Sequence, residues 1–415
     1  MKVIHLNCFD IIGGAARAAY RIHHALRRVG VDSWLWVDVA ASGDWTVEGP
    51  TTNFGKGLAI LRRALGRGLV KSVLKTGNPI LHSPAFLPSG RVRALNSSDA
   101  DILHLHWVQG EMLSIEDIGR LRKPVVWTLH DMWAFCGAEH YTEDHRWREG
   151  YRHNNRPSYE RGFDLNRWTW TRKRKCWKHP IHIVTPSRWL AQCVQESALM
   201  HEWPLSVIPN PIDTERWQPL ETNLARELFG LPKGTPLLLF GAMGGGRDPR
   251  KGFDLLLKAI QHLRSELPEL QLVIFGELCP RKPPDLGFSM NYVGHLADDL
   301  SLRILYSAAD VMIVPSRLEA FGQTTSEAHA CGTPVVAFNT SGLRDIVLHK
   351  ETGYLAQPFD PEDLARGIQW VLSDSERHLQ LRKNARARAV DCFASEIVAA
   401  KYLQVYEAAL NDSSS

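Results

Sequence analysis

Ala309-Asp310-Val-Met-Ile-Val-Pro315-Ser316, followed by Glu319-Ala-Phe-Gly-Gln-Thr-Thr-Ser-Glu327 and then by Ala-His-Ala-Cys331-Gly-Thr-Pro-Val-Val-Ala337, is the stretch whose reading decides the fold. Its first piece reads as a buried strand ending in a proline turn. Gly322 opens a short loop into a helix, and Pro334 to Phe338 reads as the next strand. The first amides of that helix have no partners within it and favour anions, so a diphosphate can dock there. Glu319 stands in the loop before the helix and Glu327 about a turn inside it. The two acceptor oxygens of a carboxylate suit the vicinal hydroxyls of a ribose or hexose. Two glutamates eight positions apart are also common on solvated helices, so their flanking residues must decide.

Working outward, the same alternation of strand and helix runs along the chain. Lys2 to Asn7, Val31 to Val37, Asp101 to Trp107, Pro124 to Leu129 and Ile181 to Pro186 are strand-like in the first half. Pro236 to Gly241, Leu270 to Gly276, Asp310 to Pro315 and Pro334 to Phe338 are strand-like in the second. Strands alternating with helices imply an α/β protein with parallel, doubly wound sheets. A length of 415 residues with 44% hydrophobic content suits two domains. The proline-punctuated Val207-Ile-Pro209-Asn210-Pro211-Ile-Asp213 is where a linker belongs, giving domains at 1–208 and 209–394. Seven scattered cysteines fit a reducing compartment, and no apolar run approaches a bilayer span, so the expected location is cytoplasmic. Residues 1–208 hold 28 Lys and Arg against 19 Asp and Glu, the remainder 21 against 26. A basic first half suggests that an anionic surface or acceptor meets that half; ordinary variation in solvated charge is the alternative.

The Glu319-x7-Glu327 pattern, its small-residue helix and the Gly332-Thr-Pro-Val-Val strand together resemble the large retaining glycosyltransferase family 4 of the GT-B type, in its surface-polysaccharide biosynthesis branch. The resemblance runs from the first strand to about residue 375. It is specific at residues 309 to 340 and poor from about 44 to 98 and 137 to 178. It implies two facing Rossmann-like domains with a cleft between them, and a helix at about 395–410 that returns to the first domain. The activity it implies is transfer of a hexose, with retention, from a nucleotide diphosphate sugar to a hydroxyl of a lipid-linked glycan. No metal and no other cofactor is expected. Other GT-B chemistry, such as a sugar-nucleotide epimerase or hydrolase, and a non-catalytic sugar-nucleotide or polysaccharide-binding protein are the alternatives.

Residue by residue, the resemblance assigns Glu327 to the ribose, and Glu319 with the amides around Phe321, Gly322 and Gln323 to the donor sugar. Gly13-Gly14 follows the first strand and opens the helix Ala15-Ala-Arg-Ala-Ala-Tyr20. Alone such a pair is commonly just a turn; in the family it approaches the diphosphate. His130, just past the strand Val125-Val-Trp-Thr-Leu, takes the family's place against the hexose. Lys251-Gly252 matches the family's Lys-Gly pair, with Arg250 as companion, where cations balance charge growing on the leaving diphosphate. The family's arginine directly after the preceding strand is displaced here: Gly241-Ala-Met-Gly-Gly-Gly-Arg247 follows instead, so Arg247 or Arg250 supplies it. Base recognition is expected along the backbone around Val293-Gly294-His295.

Other features have plainer readings. Asp99-Ala-Asp101 imitates a metal-binding Asp-x-Asp but leads straight into a buried-strand pattern. His104 and His106 share one strand face and read as core or acceptor-side residues. Cys136, His140, His145, His153, Cys176 and His179 follow no zinc spacing. Trp168 to Lys178 interleaves aromatics with cations; an acceptor groove or the membrane-facing edge suits it better than nucleic acid, which is not an expected partner, and a basic helix flank is the plain alternative. Residues 55–75 carry six cations and no acid over an apolar period. That pattern fits a helix lying on an anionic inner-membrane leaflet, or one packed on its own domain.

Overall fold

A computed structural model describes residues 1–241, 246, 248–284 and 287–414, and the chain divides into two units, Met1–Pro209 with Val398–Ser415, and Asn210–Ile397. In unit 1 the strands are β1 Lys2–Phe9, β2 Asp32–Val39, β3 Val47–Glu48, β4 Leu74–Lys75, β5 Ile102–Leu105, β6 Val125–Thr128, β7 Arg161–Gly162, β8 His182–Thr185 and β9 Leu205–Val207. Seven of them form one parallel sheet in the order β3-β2-β1-β5-β6-β8-β9, while β4 and β7 pair as a small antiparallel ribbon. In unit 2 the strands are β10 Leu237–Gly241, β11 Gln271–Phe275, β12 Ser289–Gly294, β13 Val311–Val314, β14 Val335–Phe338 and β15 Gly353–Ala356. They form a second parallel sheet in the order β12-β11-β10-β13-β14-β15. Each unit is Rossmann-like: three strands wind outward from the first, and the chain then crosses to build the other side. The order reverses between β1 and β5 in unit 1 and between β10 and β13 in unit 2. Ligands of such sheets bind beyond the carboxyl ends of the strands at that switch point.

The central strands are buried on both faces because helices cover both, which is why they read as unbroken apolar runs. In unit 2, Leu237, Leu239, Val273, Phe275, Met312 and Val335 point to one core with Tyr306 and Ala328. Their sequence neighbours Leu238, Phe240, Leu272, Ile274, Ile313 and Val336 point to the other, with Leu256, Ile260 and Ile368. In unit 1 the helix Ser395–Ser414 lays Val398, Tyr402, Val405 and Tyr406 against Val3, Ile22, Ile102, Val126 and Val184. The edge strands β3, β9, β12 and β15 carry no marked pattern in the sequence; β3 is two residues long and β9 three, and β12 is only partly buried.

Asp99 and Asp101 lie at the start of β5, where Asp101 accepts the Lys2 amide at 2.7 Å and Asp99 pairs with Lys2 Nζ at 2.8 Å. The segment from 137 to 178, where the family resemblance is poor, is held by buried charge. Arg146 Nη2 donates to Glu160 at 2.7 Å, Nη1 to Asp164 at 3.3 Å, and the guanidinium lies over the Tyr151 ring. Lys173 is fully buried, donating to the carbonyls of Trp133, Cys136 and Gly137 with the Trp133 ring centroid 3.6 Å away. Burial pushes its ammonium down to about 7. Arg172 turns inward as well, pairing with Glu116 at 2.6 Å and reaching the Pro84 and Ala85 carbonyls. This corrects the reading of Trp168 to Lys178 as a groove lining: Arg172 and Lys173 are structural, and Trp170 and Trp177 are buried.

Candidate functional site

The unit 2 group is built at the switch point from the loops after β10 and β13. Pro249–Lys251 forms a short 3-10 turn, and Gly252 caps the helix Phe253–His262 at φ +65°. A β-carbon on Gly252 would lie 1.9 Å from the Pro315 carbonyl oxygen, so the Lys-Gly pair needs its glycine for close approach of the two loops. Arg317 completes the clamp: its amide donates to the Arg250 carbonyl at 2.7 Å, and its guanidinium grips the Pro249 carbonyl and both oxygens of Asp254.

Across this clamp Lys251 Nζ donates to Glu319 Oε1 at 2.5 Å. Ser316 Oγ donates to the same oxygen at 2.9 Å, and the Glu319 amide donates to Ser341 Oγ at 3.0 Å. The Arg250 guanidinium is engaged by Asp248 at 2.6 Å and 3.2 Å. Arg247 lies outside the described residues. The helix Gln323–Ala330 begins after Gly322, whose φ of +105° favours glycine. Phe321 contributes backbone only, since its ring is buried edge-on against Phe393. Glu327 is buried, and the Tyr306 hydroxyl donates to its Oε2 at 2.9 Å. Gly294 ends β12 at φ +73° with its carbonyl accepting the Gly276 amide. Tyr306, Ser316 and Ser341 orient the two glutamates and were not marked by any spacing in the sequence.

The unit 1 group is a row of imidazoles. His5 on β1 and His104 on β5 are register partners, with His106 just beyond β5 and His130 just beyond β6. His5 Nδ1 lies 2.9 Å from His106 Nε2, and His106 Nδ1 lies 3.1 Å from His130 Nε2. His5, His104 and His106 bring ring nitrogens within 4.8 Å of one another, a distance that could suit a metal ion. Both nitrogens of His104 are already bonded to the hydroxyls of Tyr406 and Thr128 at 2.7 Å, however. No carboxylate belongs to that group to offset a dication in a dry interior. We read it as a hydrogen-bonded stack. Burial holds every member neutral: His5 is pushed down to about 3, His130 to about 4 against the pull of Asp131, and His104 and His106 well below the ordinary range.

Asp131 orients the same loop. Its carboxylate accepts from His140 Nδ1 at 2.6 Å, Trp107 Nε1 at 3.0 Å and the Trp133 amide at 2.9 Å. Burial works against its ionisation, but His140 and these donors hold it below the usual carboxylate range. His140, set aside in the sequence among unpatterned metal-flavoured residues, therefore belongs to the surroundings of His130. Gly13 precedes the helix Gly14–Arg28 at φ +99°, beyond the carboxyl end of β1.

One surface feature stands apart. The helix Asn53–Val73 buries only Ala59 and Gly66, and anchors through Arg62, which donates to the carbonyls of Glu111 and Leu87. Arg63 lies over the Phe9 ring. Phe54, Leu58, Leu61 and Leu65, at four- and three-residue spacing, are exposed. Two of the six cations are thus tied to the domain. No helix among the described residues is long and apolar enough to cross a membrane.

Residues 231–388 match the family model described as glycosyl transferases group 1, and residues 12–216 that described as Glycosyltransferase Family 4. A D-inositol 3-phosphate glycosyltransferase of Xylanimonas cellulosilytica is 34% identical over 220 residues, 49% of this chain and 51% of that protein. The chain spans about half the length of the curated relatives it matches. Among solved structures, a sucrose-phosphate synthase from Thermosynechococcus elongatus is similar at TM-score 0.68 and 19% identity, over 99% of this chain and all of the other. HepE of Anabaena, solved in complex with UDP-glucose, is similar at TM-score 0.66 and 16% identity, over 98% and 100%. At such identities the likeness is one of fold.

Proposed function

Because the chain belongs to glycosyltransferase family 4, of the GT-B type, we propose that it transfers a hexose from a nucleotide diphosphate sugar to a hydroxyl of a glycan, with the anomeric configuration retained. The observation that carries this reading is the Lys251–Glu319 pair, held at the switch point of unit 2 by Gly252, Ser316 and Arg317. A diphosphate brought to this cation and to the mouth of the helix Gln323–Ala330 draws Lys251 away from Glu319, whose oxygens are then free for sugar hydroxyls. Arg250 joins Lys251 at the diphosphate, and the place of the family's displaced arginine falls to Arg250 or Arg247. Glu327, fixed by Tyr306, takes the ribose, and the backbone at Gly294 takes the base. Gly13, Gly14 and His130 of unit 1 serve the same reaction. The protein supplies charge stabilisation and positioning, and no side chain acts as nucleophile. UDP-glucose, bound by the Anabaena protein, is the first donor to try.

The acceptor in this reading is a lipid-linked saccharide of a bacterial surface polysaccharide. The exposed apolar stripe of Asn53–Val73, flanked by Lys56, Arg67 and Lys71, supports peripheral binding to an anionic leaflet of the inner membrane from the cytoplasm.

Thermal shift with a panel of nucleotide sugars tests the donor. One of them should raise Tm, and Glu327→Ala should reduce that shift to a level corresponding to a loss of about tenfold or more in affinity. A panel in which no donor shifts Tm, or a Glu327→Ala variant that binds and transfers as well as the parent, sinks the assignment. Rapid donor turnover without acceptor would move the reading to a hydrolase or epimerase.

A further inference from the structure

The geometry of the imidazole row limits where its hydrogens can lie. His5, His106 and His130 are neutral, so each ring carries one hydrogen, on one of its two nitrogens. His5 Nδ1 faces His106 Nε2 at 2.9 Å, and His106 Nδ1 faces His130 Nε2 at 3.1 Å. Each link needs one hydrogen between its nitrogens: with none, two lone pairs meet, and with two, the hydrogens collide. Three hydrogens then have two arrangements. In the first, all sit on Nδ1, so that His130 turns an N–H away from the row and His5 ends it with a lone pair on Nε2. In the second, all sit on Nε2, and the row ends in a lone pair at His130 and an N–H at His5.

The inner end decides between them. His5 Nε2 is buried with no hydrogen-bond partner in the protein, and His5 is 0% exposed. The neighbouring rings do not relieve it: His104 spends both nitrogens on the hydroxyls of Tyr406 and Thr128, and His23 spends both on those of Ser33 and Thr46. A buried N–H without a partner is rarer in proteins than an acceptor left unmet. His130 is only partly buried, so an N–H at that end can be met by water or a ligand. Charge favours the same arrangement. Asp131 is an anion beside His130, and the first arrangement puts the hydrogens of His5 and His106 on the side of their rings that faces His130.

We infer that the row holds His130 with its hydrogen on Nδ1, so that His130 meets the sugar of the bound donor as a hydrogen-bond donor to one of its oxygens, with His106 and His5 as positioning residues. The inference rests on the reading of the chain as a glycosyltransferase. It separates the roles of the two His130 nitrogens: Nε2 is spent on His106, and Nδ1 is left for the ligand. His104 supports the arrangement from below, its ring stacked on His106 with centroids 4.1 Å apart.

The test uses the full chain labelled with 15N at histidine, whose ring nitrogens report which of them carries hydrogen. The resonances of His130, His106 and His5 are assigned by their loss in single variants, and in the parent each should show its hydrogen on Nδ1. In His106→Phe the His130 hydrogen should spread over both nitrogens, a change that loss of packing alone does not produce. UDP-glucose and UDP are then compared by thermal shift. His130→Leu should weaken UDP-glucose about tenfold and leave UDP unchanged, whereas His130→Asn, whose amide brings an N–H to the place of Nδ1, should stay within about threefold of the parent. Hydrogen on His130 Nε2 in the parent, or an asparagine variant that binds UDP-glucose no better than the leucine variant, overturns the inference while the transferase reading stands. Hydrogen on Nδ1, with no nucleotide sugar raising the Tm of any sample, supports the arrangement of the row and overturns the transferase reading instead.

Discussion

At their switch points the two units put opposite kinds of polar group. Unit 2 gathers full charges that are already paired: Lys251 with Glu319, Arg250 with Asp248, Arg317 with Asp254. Unit 1 gathers imidazoles that are uncharged because they are dry, with His5, His104 and His106 buried. One topology therefore serves two electrostatic tasks. A ready-made cation suits an anionic diphosphate, whereas neutral rings able to hold or pass a proton suit groups whose charge changes little. The contrast also makes the two units differ in what threatens their stability.

Acid should separate them most. In unit 1 burial pushes His23 down to about 2, His5 to about 3, and His82 and His130 to about 4, with His104 and His106 well below the ordinary range. These folded values lie below the unfolded value of 6.5, so their stabilising contribution is complete above about pH 6.5 and is lost as pH falls toward 4. In that window the unfolded chain takes up protons that the folded chain refuses. Each such histidine costs about 1.4 kcal/mol per pH unit, and six together exceed the stability of an ordinary domain within two units. Among the described residues unit 2 has one fully buried imidazole of this kind, His329, pushed down to about 3. Unit 1 should unfold near pH 5 while unit 2 persists. Tryptophan fluorescence reads this directly, because twelve of the fourteen tryptophans precede residue 210. A flat fluorescence titration from pH 8 to 4.5 would contradict the neutral-histidine picture.

The next effect concerns the buried charges that unit 1 does keep. Arg146→Met leaves Glu160, Asp164 and Asp144 with only Arg156, 3.7 Å from the first two, to offset them, and should cost about 3 kcal/mol in urea unfolding followed by tryptophan. Nucleotide-sugar binding to unit 2 should survive in conditions where the variant remains folded. An unchanged midpoint would mean that these acids are solvated rather than held.

The same contrast governs what could be read in advance. The unit 2 group lies mostly within residues 249–254 and 315–327, where strand, turn and helix follow one another, so spacing and the proline and glycine signals specify the local geometry. The parallel order of the main strands follows from their alternation with helices. The unit 1 group draws on positions 5, 104, 106, 130, 131 and 140, which only strand register brings together; His5 and His140 carry no local mark of it. Tyr306 is equally silent, being one aromatic on a helix whose meeting with Glu327 is tertiary. Between residues 131 and 178, apparent surface charge in Arg146, Arg172 and Lys173 is buried because irregular backbone there offers carbonyls and acids in place of a ladder. The edge strands β3, β9, β12 and β15 were missed because they are short or lack a continuous buried face.

If the imidazole row matters to chemistry as well as to stability, breaking its middle should show it. His106→Phe keeps a planar ring but cuts both links, His106 to His5 and His106 to His130. The turnover number should fall on the order of a hundredfold with donor KM nearly unchanged. In 15N spectra the tautomer of His130 should become mixed, because nothing then dictates which ring nitrogen carries the proton. A purely structural role predicts a lower Tm with the kcat of the folded enzyme intact, and that result would remove the row from the reaction.

The smallest effect sharpens the comparison at the surface, since the helix Asn53–Val73 lies in unit 1. Leu61 is half exposed, and it lies on the stripe with Phe54, Leu58 and Leu65. Were that stripe idle, Leu61→Ser would change neither stability nor anything else measurable, because exposed substitutions usually stay within about 0.5 kcal/mol. Were it seated on a membrane, the same substitution would remove several buried methylenes and weaken partition into vesicles of anionic phospholipid about tenfold. The anchored Arg62 and Arg63 contribute little to that attraction, so Lys56, Arg67 and Lys71 should carry its salt dependence, each contributing about 1 kcal/mol near the charged surface. Binding to anionic but not zwitterionic vesicles, lost on adding salt and weakened by Leu61→Ser at unchanged Tm, is the expected pattern. Equal partition of parent and variant would leave the stripe as mere surface.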